Sequence, residues 1–203
     1  MRTTSRSRSR MGRARVRIVR YGSFAFLCLL SSCALAPLAG AGEAVPEPAD
    51  YHRTDDYRSP VPLTLRGATV LTSDEAADLW NKDGAIFIDV YPRAPKPKNL
   101  PAGTYWRDPV HRSIEGAHWL PNVGYGGLSN KVDAYFRTEL ERLTGGDREK
   151  AVVFYCLKDC WMSWNAAKRA LEVGYRNVLW FRDGTDGWQE LGYPLVQVKP
   201  EPQ

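Results

Sequence analysis

The chain has 203 residues, with 28 Lys and Arg against 23 Asp and Glu, a formal net charge of +5. Residues 1–41 hold eight arginines and no Lys, Asp or Glu, so residues 42–203 retain 20 basic against 23 acidic side chains and carry −3. The basic balance is thus no argument for a nucleic-acid partner, and the composition excludes a collagen, a coiled coil, a disordered tail and a polytopic membrane protein.

The arginine run leads into Phe24-Ala25-Phe26-Leu27-Cys28-Leu29-Leu30 and then into small residues up to Ala41. Positive, apolar and small stretches in that order predict a secretory leader over residues 1–41, with Ala39-Gly40-Ala41 as the cleavage site. The apolar stretch falls well short of the roughly 20 residues that span a bilayer. Met11 offers an alternative start, since Met11 to Arg20 already supplies the positive region. A competing expectation is Leu30-Ser31-Ser32-Cys33, which resembles a lipobox; with the leader cleaved, membrane attachment is expected only if Cys33 is lipidated. Cleavage, lipidation and an uncleaved anchor all place the domain outside the cytoplasm, in the periplasm.

Residues 42–66 are rich in Pro, Glu and Asp and lack an apolar period, which predicts an extended or poorly ordered linker; the tail 199–203 reads the same way. Between them lies a single domain, residues 67–198. Thr72-Ser73-Asp74-Glu75 is a capping signature for a helix to about Asn81. Ala85 to Val90 is a wholly apolar run ending on Asp89, the pattern of a buried parallel strand. Residues 91–113 read as a long loop carrying Arg93, Lys96, Lys98, Arg107 and Arg112, and residues 116–121 as another short strand. Lys131 to Leu143 has helical apolar spacing and is stopped by Gly145-Gly146. A strand over 151–155 ends at Cys156, a loop comes next, and a helix runs from Met162 to Val173 with Ser163 as its expected N-cap. Residues 177–181 form a further strand and 184–190 a last short helix. This alternation predicts an α/β fold, with a parallel sheet flanked by helices on both faces.

Ligand sites in such sheets form beyond the carboxyl ends of the strands. Cys156 stands there, ahead of a helix whose N-terminal N–H groups favour a thiolate or a persulfide. Position alone also allows a buried apolar cysteine with no chemistry.

In order, Ile88-Asp89-Val90, Ile114 to Pro121, Val152 to Cys156, Ala166-Ala167, Gly174 to Val178, Asp183 to Trp188 and Gly192-Tyr193-Pro194-Leu195 resemble the rhodanese domain family over roughly residues 70–197. The resemblance implies a single rhodanese-like domain with Cys156 in the persulfide-carrying position and Asp89 orienting a loop by accepting N–H bonds. The segment Cys156-Leu157-Lys158-Asp159-Cys160-Trp161-Met162-Ser163-Trp164-Asn165 resembles, more narrowly, the exported PQQ-dependent catabolism-associated CxxCW motif proteins. That likeness implies work beside a PQQ-dependent alcohol dehydrogenase and its c-type cytochromes, although here three residues separate the cysteines.

The loop departs from sulfurtransferases, which commonly carry Gly and Arg after the cysteine. Position 162 is Met, no Arg occurs before Arg169, and Lys158 and Asp159 cancel. Phosphate monoester hydrolysis is disfavoured on the same ground. Arg93 and its basic neighbours in 91–113 are the candidate source of charge, or a solvated surface. Cys160 suggests thiol–disulfide chemistry with Cys156 as nucleophile and Cys160 as resolving thiol, or a structural staple. A metal reading joins both cysteines to His111 or His118. Haem attachment needs a His where Trp161 stands. Trp106, Trp119, Trp161, Trp164 and Trp188 are candidates to wall a pocket or fill the core. The candidate site is therefore Cys156 and Cys160, with loop residues Leu157, Lys158, Asp159, Trp161, Met162 and Ser163 and supporting residues Asp89 and Arg93. No cofactor is expected beyond a persulfide or disulfide at Cys156, and no metal. The alternative function is a metal- or cofactor-delivery or docking module for a quinoprotein dehydrogenase, or a silent domain used for contacts.

Overall fold

The computed structural model describes residues 45–203, so the expectations placed on Met11, Cys28, Cys33 and Ala41 lie outside the described residues. Seven strands and four helices succeed one another: β1 (Thr69–Leu71), α1 (Ser73–Asn81), β2 (Ile86–Asp89), β3 (His111–Ser113), β4 (His118–Trp119), α2 (Asn130–Thr144), β5 (Val152–Tyr155), α3 (Trp161–Glu172), β6 (Val178–Phe181), α4 (Gly184–Glu190) and β7 (Val196–Val198). The main sheet has the order β1-β6-β5-β2-β4 with every ladder parallel. The α/β expectation holds.

Burial explains the sequence pattern. β5 and β6 are buried at every position, as strands covered on both faces must be. Alternate residues feed two cores. Ile88, Val152, Phe154 and Trp180 pack with Phe136 and Leu140 of α2 and Trp164 of α3, whereas Phe87, Val153, Tyr155 and Phe181 pack with Ala76 and Ala77 of α1 and Trp188 of α4. The capping box of α1 forms as its sequence requires: Glu75 N–H donates to Thr72 Oγ1 at 3.3 Å and Thr72 N–H to Glu75 Oε2 at 2.8 Å.

Three expectations need correction. The loop 91–113 ends in a strand, because β3 pairs antiparallel with β7, matching His111 to Val198 and Ser113 to Val196. The strand expected over 116–121 narrows to His118 and Trp119, paired with Ile88 and Asp89, with one more bond from the Leu120 N–H to Asp89 O at 2.8 Å. The tail is tied down: Glu201 N–H donates to Trp119 O at 2.9 Å, and its carboxylate meets His118 Nδ1 at 2.6 Å and Arg142 at 2.8 Å.

Residues 45–66 contain neither helix nor strand, as their composition predicts, yet they form a strap across α3. Trp161, Trp164, Asn165 and Lys168, one helical stripe, meet it in turn. Trp161 Nε1 donates to Ser59 Oγ and Pro60 O, both at 3.1 Å; Trp164 Nε1 donates to Thr64 O at 3.2 Å, and Lys168 Nζ to Ala49 O at 3.1 Å. Asn165 is fully buried and brackets Arg53, accepting from its N–H at 2.9 Å and donating to its carbonyl at 2.8 Å. Val61 and Leu65 add apolar contact beneath.

Candidate functional site

The carboxyl ends of β2, β4, β5 and β6 open on one edge of the sheet, and Cys156 comes directly after the central strand β5 there. Its carbonyl accepts the Thr185 N–H at 3.0 Å, and Leu157 bridges Gly184 in antiparallel fashion. This closeness explains Gly184: its φ is +53°, and a Cβ there would lie 2.3 Å from Cys156 O. The Lys158 N–H donates to Asp186 Oδ2 at 2.9 Å, fastening the cysteine loop to α4. The chain then turns through Asp159 at φ +52°, a conformation that Asp tolerates better than most residues.

That turn decides which sulfur meets the helix. α3 begins at Trp161, one residue earlier than expected, and Cys160 is its N-cap. Ser163 therefore is not the cap. Its hydroxyl lies inside the first turn, donating to Cys160 O at 3.0 Å and accepting from Trp180 Nε1 at 3.0 Å. The orphan N–H of Trp161 is satisfied by the strap, at 2.9 Å from Tyr57 O.

The helix terminus thus favours charge on Cys160 rather than on Cys156, a correction to the sequence reading. Hydrogen bonding from the Cys156 thiol, with help from the amides of Met162 and Leu157 and the charge of Arg58, brings the Cys160 thiol down to about 7. Burial, chiefly, and that same hydrogen bond push the Cys156 thiol well above its ordinary value. Both cysteines are free thiols, and they are only 1% and 3% exposed, so the site is closed in this state. Met162 and Trp161 are buried beside them, while Lys158 and Asp159 are exposed.

Arg58, which sequence reasoning passed over, contributes charge near Cys160, the least of the effects that lower its thiol. It stands 98 positions before Cys156 in a segment that reads as linker; only the strap brings it near Cys160. Arg93, the expected source of charge, is instead paired with Asp108. Arg169, the first arginine after the cysteines, is buried and donates to the carbonyls of Val123, Tyr125 and Gly126.

Asp89, at the end of β2, accepts the Tyr91 N–H on Oδ1 at 2.8 Å, a turn contact two residues on. Oδ2 meets His111 Nε2 at 2.7 Å and accepts from Ser113 Oγ, which lies 2.7 Å from Tyr155 Oη. With His111 on Asp89 and His118 on Glu201, neither histidine joins the cysteines. Among the described residues there is no group of three or more His, Cys, Asp or Glu able to hold a metal. Of the tryptophans, Trp119 lines a cleft of about 490 Å³ that reaches from Tyr91 and His111 to Leu157 and Asp186; Trp161, Trp164 and Trp188 are packed in the cores.

No curated protein matches the chain. Among solved structures it is similar to a thiosulfate sulfurtransferase from Pseudomonas aeruginosa, at 19% identity and a TM-score of 0.45, over 66% of this chain and 21% of that one. The chain thus spans about a fifth of that protein. It is also similar to the polysulfide-sulfur transferase homodimer of Wolinella succinogenes, at 20% identity and a TM-score of 0.39, over 64% of this chain and 79% of that one. A rhodanese-related protein from Thermoplasma volcanium matches at 19% identity and a TM-score of 0.39, over 63% of this chain and 97% of that one. The model of the rhodanese-like domain matches residues 72–191, more than half of the chain and the whole span from α1 through α4. The chain belongs to the rhodanese-like domain family.

Proposed function

We propose that the protein is a sulfur carrier in which Cys156 takes up a sulfane sulfur and Cys160 serves as its base. The observation that carries this reading is the meeting of the two sulfurs: Cys156, directly after β5, has its thiol hydrogen-bonded to the sulfur of Cys160, the N-cap residue of α3, and that bond is the chief cause that lowers the Cys160 thiol to about 7. As the Cys156 sulfur attacks the outer sulfur of a donor such as thiosulfate, its proton passes to Cys160, the donor's S–S bond breaks and sulfite leaves. Cys156 then carries the persulfide, and Cys160 the proton. The backbone amides of Leu157 and Met162 offset the developing charge, a task that no arginine within the loop performs. The adjacency of the sulfurs also supports the second chemistry of the pair, closure to a Cys156–Cys160 disulfide with release of hydrosulfide.

The arginine-rich leader supports a periplasmic location, and the Cys-x-x-x-Cys-Trp segment supports service to a PQQ-dependent alcohol dehydrogenase or c-type cytochrome system. Transfer from thiosulfate by single-cysteine variants tests the chemistry. Cys156→Ser should abolish uptake, and Cys160→Ser should slow it about 100-fold at neutral pH, with recovery as the pH rises. Uptake by Cys156→Ser at the native rate would overturn the reading.

A further inference from the structure

The cleft beside the cysteine loop holds a titratable dyad that sulfur uptake does not use. His111 of β3 is stacked on Tyr91, with ring centroids 4.9 Å apart and planes within 10°, and lies 4.3 Å from the Trp119 ring. Its Nε2 meets Asp89 Oδ2 at 2.7 Å, and Asp89 is 1% exposed. Two aromatic neighbours and a buried carboxylate together fix the ring. The carboxylate already accepts from Ser113 Oγ and the Tyr91 N–H, and an imidazole that donates to it through Nε2 completes its hydrogen bonding. Nδ1 has no protein partner among the described residues and is left as a base, and the side chain retains 13% exposure. The same cleft is bounded by Leu157, next to Cys156, and by Thr185, whose N–H holds the Cys156 carbonyl.

We propose that His111, oriented by Asp89, is the general base that activates a small thiol acceptor bound in this cleft. This inference rests on the sulfur-carrier reading and names the class of molecule that unloads it. A cleft of about 490 Å³ suits a low-molecular-weight thiol. The acceptor's S–H proton goes to His111 Nδ1. The acceptor thiolate attacks the outer sulfur of the Cys156 persulfide, the bond from that sulfur to Cys156 Sγ breaks, and Cys156 leaves as a thiolate. The acceptor departs as a persulfide, and the proton on His111 returns to solvent. Neither cysteine lines the cleft, so Leu157 must swing aside for the transfer. Besides its partner Asp89 at the end of β2, the titratable and charged groups that line the cavities around His111 are Tyr91, Arg93 with its partner Asp108, Arg112 on β3, Tyr125, Asp186 on α4 and Lys199 after β7. Arg93 is neutralised by Asp108, which leaves Asp89 the dominant charge at the ring.

The test loads the intact protein with sulfur and measures single-turnover unloading by 2-mercaptoethanol and by sulfite, the second of which brings no S–H proton. His111→Gln keeps a donor for Asp89 but removes the base. It should slow the thiol reaction about 100-fold at neutral pH, with the deficit closing as the pH approaches that of the free thiol, and leave the sulfite reaction unchanged. Equal slowing with both acceptors, or slowing with neither, would overturn the inference while leaving the carrier reading intact. A wild-type protein that takes up no sulfur would overturn both.

Discussion

Cys160 is the N-cap residue of α3, and Cys156, four residues earlier and directly after β5, directs its thiol at it. The consequence is a division of labour between two buried sulfurs: the second is the easier to ionise, and the first, directly after β5, keeps its proton. Ultraviolet titration of the thiolates in the reduced protein should show one group ionising near pH 7 and the other remaining protonated well beyond the ordinary thiol range. Cys156→Ala should raise the titration of Cys160, because its largest stabilising hydrogen bond is removed. A wild-type protein whose two thiols titrate together in the ordinary range would contradict this arrangement.

The strap belongs to the fold. Asn165→Ala would leave the Arg53 amide and the carbonyls of Arg53 and Gly124 without their side-chain partner. The expected loss is about 3 kcal/mol, or roughly 6–12 °C in Tm for a domain of this size. Hydrogen exchange should rise first in residues 49–61. A variant with native Tm and native protection would refute the role given to Asn165.

His52 gives the strap a pH signature. Burial, first, and the nearby Arg169 lower its pKa from the ordinary 6.5. The unfolded chain therefore takes up a proton as pH falls through 6.5 while the folded form resists it, so stability is full above that value and declines below it. His52→Gln should flatten this part of the stability curve, as read by chemical denaturation at pH 7.5 and 5.5. An unchanged slope would show that His52 is not the group responsible.

Much of the fold was legible in the sequence, and the misses share a cause. β5 and β6 announced themselves as continuous apolar runs, α1 by its capping residues and α2 by its apolar period and the glycine that ends it. β1, β3 and β7 are three residues each, too short for any period, and β3 and β7 exist only because Ser113 meets Val196 far along the chain. The strap read as linker because α3 grips it largely through its backbone carbonyls, which every residue type supplies. The positions of both cysteines were legible. Their electrostatic roles were not, because these turn on the left-handed Asp159 and on a helix start one residue earlier. Likewise His111 gave no sign of its tie to Asp89, 22 residues away.

Sulfur carriage by Cys156, with Cys160 as its base, is the central claim. Peptide-level mass mapping after incubation of the reduced protein with thiosulfate tests it most directly. The added mass of one sulfur atom is expected on Cys156, with Cys160 unmodified. Sulfur found on Cys160 alone, or on neither cysteine, would contradict it.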